Sequence, residues 1–217
     1  MKKLSVLCIL IAMALSCAGC GSAPAPDVSA PADAAEEAPA ETPAPVQEPE
    51  SEPQAAEDAP QNPTLVVYFS ATGTTRGVAE RIAALTGADL AEIVPAQPYT
   101  AEDLNYNDGT SRAAVEQNTP DARPEIANEI SLEGYTTVYL GYPIWWGDAP
   151  HIMSSFVESH DFTGITVIPF CTSSSSGIGR SGKNLADNAK SGKWLDGRRF
   201  SGSVSESELR SWIDGLK

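Results

Sequence analysis

The sequence predicts an α/β domain in which a parallel sheet is covered by helices on both faces. Two observations lead there. From residue 64 onward, short apolar runs alternate with segments of helical periodicity, the order that builds strand-helix-strand crossovers. That part of the chain is also long enough, at about 154 residues, to bury one core.

The first strand is Leu65-Val66-Val67-Tyr68-Phe69. A helix follows from near Arg76, where Val78, Ile82 and Leu85 share a face with Ala79 and Ala83 at 3.6 spacing, and Gly87 closes it. Residues 89–94 read as a second strand ended by Pro95. The connection from 97 to 134 is long and polar, holds Tyr99, Tyr106 and a short helical pattern at 111–117, and reads as a crossover with surface loops. Residues 136–142 form a third strand that Pro143 ends, and a loop at 144–150 leads into a helix with Ile152, Met153, Phe156 and Val157 facing inward. A fourth strand covers 165–171. A weaker fifth lies within 194–200, where Arg198 and Arg199 are expected to face solvent. The last helix is announced by a capping box of Ser205 and Glu208 and by the stripe Leu209, Trp212, Ile213 and Leu216.

Open parallel sheets bind ligands where loops leave the carboxyl ends of strands. Three such loops stand out. In the first, Ser70, Thr72, Thr74 and Thr75 surround Gly73 between strand and helix. The first N–H groups of a helix lack partners within it, and aligned peptide dipoles concentrate about half a positive charge there, which suits a phosphate. The hydroxyls add donors, and Gly73 permits positive φ. The loop has no Lys, and Arg76 stands at its rim. Read alone, the same residues equally make an ordinary Ser/Thr turn capping a helix. In the second loop, Trp145 and Trp146 are adjacent directly after a strand. Neighbouring side chains point in different directions, so at least one is expected to be exposed or to cover a ligand. Either Trp singly could instead plug the sheet end. The third loop, 172–179, is Ser- and Gly-rich.

Two motifs there do not hold. Gly177-Ile178-Gly179-Arg180-Ser181-Gly182 fits G-x-G-x-x-G, yet five residues separate it from the end of a late strand, instead of its lying in the tight turn after the first. The run from Gly177 through Lys183 to Asn184 nearly fits a Walker loop, but Asn184 replaces the hydroxyl that would hold Mg²⁺.

The chain opens with Lys2 and Lys3, an apolar segment over 4–15 and small residues up to Cys20. The apolar part is shorter than the ~20 residues of a membrane span, so residues 1–19 read as an export signal. It resembles a bacterial lipoprotein signal, with cleavage before Cys20 and acyl chains on that residue; cleavage before Cys17 and a plain secretory signal are the alternatives. Residues 21–63 hold ten acidic residues, no basic ones and ten prolines, with Val28 and Val46 the only large aliphatics. Such a stretch buries too little apolar surface to offset its ordering entropy, and 20–63 is expected to be a disordered tether. The signal carries +2 and the tether −10, leaving −7 of the total −15 for residues 64–217. A domain that acidic is a poor nucleic-acid binder. Cys171 alone remains in it, with His151 and His160 the only histidines, so neither an internal disulfide nor a metal site is expected.

The loops Ser70-Ala71-Thr72-Gly73-Thr74-Thr75 and Gly141-Tyr142-Pro143-Ile144-Trp145-Trp146-Gly147 together resemble those of the flavodoxin-like family, over residues 65–216. The resemblance implies a three-layer sandwich with a five-stranded parallel sheet in order 2-1-3-4-5, noncovalent FMN, and one- or two-electron transfer. It implies that Ser70, Thr72, Gly73, Thr74 and Thr75 bind the phosphate, that Pro143, Trp145, Trp146 and Gly147 flank the ring, and that Thr172, Ser173 and Gly177 meet its pyrimidine edge. No catalytic residue is assigned. The third loop lacks the aromatic that many flavodoxins stack on the outer ring face, which would leave that face open. The expected protein is a lipid-anchored, extracytoplasmic electron carrier meeting a basic redox partner or a small redox substrate. An FMN-dependent NAD(P)H or quinone reductase and a noncatalytic binding module are the alternatives.

Overall fold

The computed structural model describes residues 63–216; the export signal, Cys20 and the tether through residue 62 lie outside the described residues. The chain runs β1 (Thr64–Tyr68), α1 (Thr74–Thr86), β2 (Asp89–Glu92), α2 (Arg112–Gln117), β3 (Thr137–Pro143), α3 (His151–Glu158), β4 (Thr166–Thr172), α4 (Ser181–Ala189), β5 (Lys193–Trp194), β6 (Arg198–Phe200) and α5 (Glu206–Asp214). All pairings in the sheet are parallel and its order is β2-β1-β3-β4-β5, with β6 also on β4. The fifth position is thus filled by two short strands, Lys193 and Trp194 pairing low on β4 and Arg198 to Phe200 pairing at its carboxyl end.

Strand alternation sorts the core into two layers. Leu65, Val67 and Phe69 face one side with Ile152, Met153 and Phe156 of α3 and Leu185 of α4. Val66 and Tyr68 face the other with Val78 and Ile82 of α1 and Leu209 and Trp212 of α5. Helix α5 begins with Ser205 accepting the Glu208 N–H, one half of the capping box expected from the sequence, while the Glu208 carboxylate turns to Arg198. Helix α4 has no counterpart in the sequence reading. It is placed by Leu185 and by the buried Ser181 hydroxyl, 3.0 Å from Tyr142 Oη. The edge strand β2 ends sooner than its apolar run, although the Ile93 N–H continues the ladder to Tyr68 O at 2.7 Å. Among the described residues no helix is long and apolar enough to cross a membrane.

The carboxyl ends of β1, β3 and β4 lie side by side, which the central sheet packing enforces. At Gly141 of β3 the Phe170 ring of β4 fills the space a side chain would take, and a Cβ there would sit 2.2 Å from it. Gly141→Ala is expected to destabilise the domain by roughly 1–3 kcal/mol through overpacking. The check is urea unfolding, with a lowered midpoint at unchanged slope.

Candidate functional site

The β1–α1 turn ends on Gly73, at φ 84°, with no side chain capping the helix. The first helical N–H to find a backbone carbonyl is that of Gly77, on Gly73 O at 3.1 Å. The amides of Thr74, Thr75 and Arg76 come before it, at the positive end of the helix dipole. Ser70 Oγ is buried and has no hydrogen-bond partner, a state that costs free energy until something polar meets it. Arg76 is turned away, its guanidinium on the Glu92 carboxylate at 2.6 and 2.7 Å.

Thr75 Oγ1 lies 2.8 Å from Thr172 Oγ1, both hydroxyls buried. The first and third turns are therefore bonded to each other. A hydroxyl has one proton and two lone pairs, so whichever of the two accepts keeps its own proton for a further partner.

The Trp loop is a tight turn. Trp145 N–H reaches Asp148 O at 2.9 Å and Asp148 N–H returns to Trp145 O at 3.0 Å. Trp146 at φ 46° and Gly147 at φ 90° give it two left-handed central residues, the type I′ pattern. Such a conformation is unusual for a residue as bulky as Trp and concentrates at binding sites. Trp145 is the packing member of the pair, edge-on to Phe69 at 5.7 Å and Tyr99 at 5.2 Å. Trp146 instead stacks on Tyr106, centroids 4.5 Å apart and planes 13° from parallel. The Asp148 carboxylate steadies the turn, accepting from Ala149 N–H at 2.8 Å and from Asn184 Nδ2 of α4 at 2.7 Å.

In the third loop, Ser173 Oγ accepts the N–H groups of Ser175 and Ser176. Arg199 of β6 reaches beneath, Nη2 donating to Ser173 O and, at 2.6 Å, to Ser174 O. Arg199 is thus half-buried beneath the loop instead of facing solvent freely as its position in a short polar strand suggested; Arg198 is exposed and paired with Glu208. Gly179, later in the same loop, lies against the Gly147 carbonyl. Cys171 is fully buried, and burial pushes its thiol up to about 12 against the opposing pull of Arg199.

A cavity of about 150 Å³ opens where these turns meet, walled by the hydroxyl turn, by Pro143, Trp145 and Trp146, and by Leu104, Tyr106 and Ala113 from the long connection. Of the residues expected at the site, Ser70, Thr72, Thr74, Thr75, Pro143, Trp145 and Trp146 line it. Gly73 and Gly147 shape its turns, and Thr172 reaches it through Thr75. Ser173 and Gly177 sit on the adjoining loop without lining it. Two larger hollows, about 830 and 520 Å³, are lined by no residue of these three turns. Among the described residues no group of His, Cys, Asp and Glu could hold a metal ion.

The long connection places Tyr106 against Trp146. Its position is fixed by Tyr99, whose hydroxyl donates to Glu116 at 2.6 Å, and by Arg112, which bonds Glu116 at 2.7 Å and lies over the Tyr99 ring at 4.1 Å. Burial and the Glu116 carboxylate together hold the Tyr99 phenol far above its usual range.

A family model described as flavodoxin matches residues 63–216, the whole of the described domain. The chain belongs to the flavodoxin family. It is 44% identical to a candidate flavoprotein from Bacteroides eggerthii, over 70% of this chain and 96% of that one, with a TM-score of 0.67. A second candidate flavoprotein, from Bacteroides uniformis, gives the same identity and TM-score over 70% and 98%. A flavoprotein from Lactobacillus acidophilus, solved in complex with FMN, shares the fold at 21% identity and TM-score 0.52, over 69% and 97%. Among curated proteins none matches. Tyr106, which lines the cavity, and Arg199, which holds the adjoining third loop, were not singled out by sequence, and neither carries a local signal that marks it.

Thr75→Val is expected to cost about 1–3 kcal/mol, because it strands the buried Thr172 hydroxyl. Thr75→Val combined with Thr172→Val should cost less than the sum of the single changes, a coupling that a double-mutant cycle of urea midpoints measures.

Proposed function

We propose that this rim binds FMN and that the protein transfers electrons through it. The observation that carries the reading is the unpartnered, buried Ser70 hydroxyl beside the uncapped start of α1, inside a cavity with an aromatic wall. Those residues fit the group. Ser70, Thr72, Gly73, Thr74 and Thr75 would hold its phosphate, by hydroxyl and amide donors at a helix N-terminus. Pro143, Trp145, Trp146 and Gly147 would lie along the ring, and Thr172, Ser173 and Gly177 at its pyrimidine edge. When bound, FMN supplies one- or two-electron redox chemistry, and the protein's part is binding, orientation and electrostatics. The cavity's ~150 Å³ is below the 300–1,000 Å³ usual for small-molecule sites, so it admits the phosphate end as it stands. Seating a ring requires Tyr106 to part from Trp146, and Tyr106, 63% exposed, is free on its outer side to do so.

We further infer a basic protein as redox partner. Residues 97–134, which contribute Tyr106, carry eight carboxylates against Arg112 and Arg123. Nearly all of the domain's excess negative charge is therefore on the segment that borders the site, and it would steer a positive surface toward the ring. The Cys20 lipid anchor and the acidic tether complete the proposal, setting the domain at an extracytoplasmic membrane face. Two acyl chains suffice for a stable anchor at ~0.8 kcal/mol per buried CH₂.

Titration should quench flavin fluorescence, with FMN binding at least tenfold tighter than riboflavin, which lacks the phosphate. Ser70→Ala should weaken FMN by about five- to thirtyfold and leave riboflavin unchanged. Equal affinities for the two flavins would remove the phosphate assignment, and undimmed fluorescence would remove the cofactor. Electron transfer to a basic acceptor protein should slow as ionic strength rises from 10 to about 150 mM; a salt-independent rate would remove the acidic docking face.

A further inference from the structure

We propose that Arg199 raises the potential at which FMN held at this rim takes up its second electron, by keeping an unneutralised positive charge behind the turn beside the ring's pyrimidine edge. The inference rests on the FMN reading above. Four other arginines bordering the sheet and its crossovers are paired with carboxylates: Arg76 with Glu92, Arg112 with Glu116, Arg123 with Glu158 and Arg198 with Glu208. Among the described residues Arg81, Arg180 and Arg199 have no carboxylate partner; Arg81 bonds the backbone carbonyls of residues 77, 202 and 204, and of the three it is Arg199 that holds the third loop. Its Nε is buried without a partner, and its Nη2 holds the carbonyls of Ser173 and Ser174.

The orientation of those peptides gives the charge its reach. In a planar trans peptide the carbonyl and the N–H point in opposite directions, so a Ser173 carbonyl turned to the guanidinium turns the Ser174 N–H away from it. A cation on the carbonyl side polarises the peptide and strengthens that donor. The turn so polarised is fixed to the hydroxyl turn by the Thr75 and Thr172 hydroxyls, and later in the same loop Gly179 comes near the carbonyl of Gly147 in the Trp turn. Arg199 is therefore one peptide behind a loop that borders both other turns.

Full reduction of a flavin by two electrons and one proton leaves a net negative charge on the pyrimidine side of the ring. A nearby cation favours that charge, opposing the phosphate and the Trp face. The two electron steps are thereby brought closer together, which favours transfer in pairs.

The test compares the affinities of oxidised and dithionite-reduced FMN for the unaltered protein, Arg199→Gln and Arg199→Lys. With a unit charge several ångströms from the ring at an effective dielectric near 20, the reduced-to-oxidised affinity ratio should fall about tenfold in Arg199→Gln. Arg199→Lys should keep most of the ratio. An unchanged ratio in Arg199→Gln overturns the proposal and leaves the FMN reading intact. A fall in Arg199→Lys as large as in Arg199→Gln also overturns it, by showing that the fork geometry matters and the charge does not. If the unaltered protein takes up no oxidised FMN, the FMN reading fails first and this inference with it. A readout free of folding effects is the spectrum of reduced FMN bound to the unaltered protein. Its N1 proton should be lost at lower pH than in free reduced FMN, and loss at higher pH overturns the proposal.

Discussion

The buried hydroxyl pair of Thr75 and Thr172 is the constraint on which the site depends. Residues 97 positions apart in the chain meet there at 2.8 Å because β1 and β4 flank β3 and the first turn of α1 leans over the end of β4. That contact fixes the hydroxyl turn relative to the Ser-rich loop. The Trp turn is fixed separately, through Asp148 to Asn184 of α4, and passes near Gly179 of the third loop. Three turns from three neighbouring strands are thus cross-braced, and the small cavity at their meeting point is bounded by polar groups at one end and rings at the other. An uncapped helix start and a buried unpartnered hydroxyl cost stability unless a ligand meets them. Their concentration in one turn is why the rim reads as a binding site.

Much of this was legible in the sequence, and the reason is local. Strand runs such as 65–69, the helix stripe of α1, the capping box of α5, and the loops that follow β1 and β3 each state their structure within a dozen residues. Gly73 takes the positive φ its loop position calls for. What the sequence hid was placement across the fold. Tyr106 sits in a polar connection with no period to read, and only the anchoring of Tyr99, Arg112 and Glu116 brings it over Trp146. Arg199 occupies an exposed-looking position in a three-residue strand, yet β6 runs beside the end of β4 and delivers the guanidinium beneath the next loop. Helix α4 buries only Ser181, Leu185 and Ala189, too sparse a stripe to stand out from the Gly-rich run before it. The two discarded glycine motifs overlap the entry to this helix, where Gly182 packs on Pro169 and Tyr142 and serves structure.

The electrostatics of the rim have two sides. The long connection carries eight carboxylates, of which Glu102, Asp103 and Asp108 are those near Tyr106 in sequence. Behind the third loop stands Arg199, whose guanidinium has no carboxylate partner among the described residues. Under the proposed function, the acidic connection would bear on encounter and Arg199 on electron uptake. They need not be traded against each other, since the acidic face is solvent-screened over about 8–10 Å and the guanidinium is partly buried.

The central claim is that the turns after β1, β3 and β4 jointly hold one phosphorylated flavin. Backbone amide NMR of the purified protein during FMN addition tests it most directly. The account predicts shifts concentrated in residues 70–76, 145–147 and 172–177, with the Tyr106 and Trp146 ring signals moving as their stack parts. Shifts confined to one turn, or gathered around Lys193 and Arg210 at the opposite end of the strands, would contradict it.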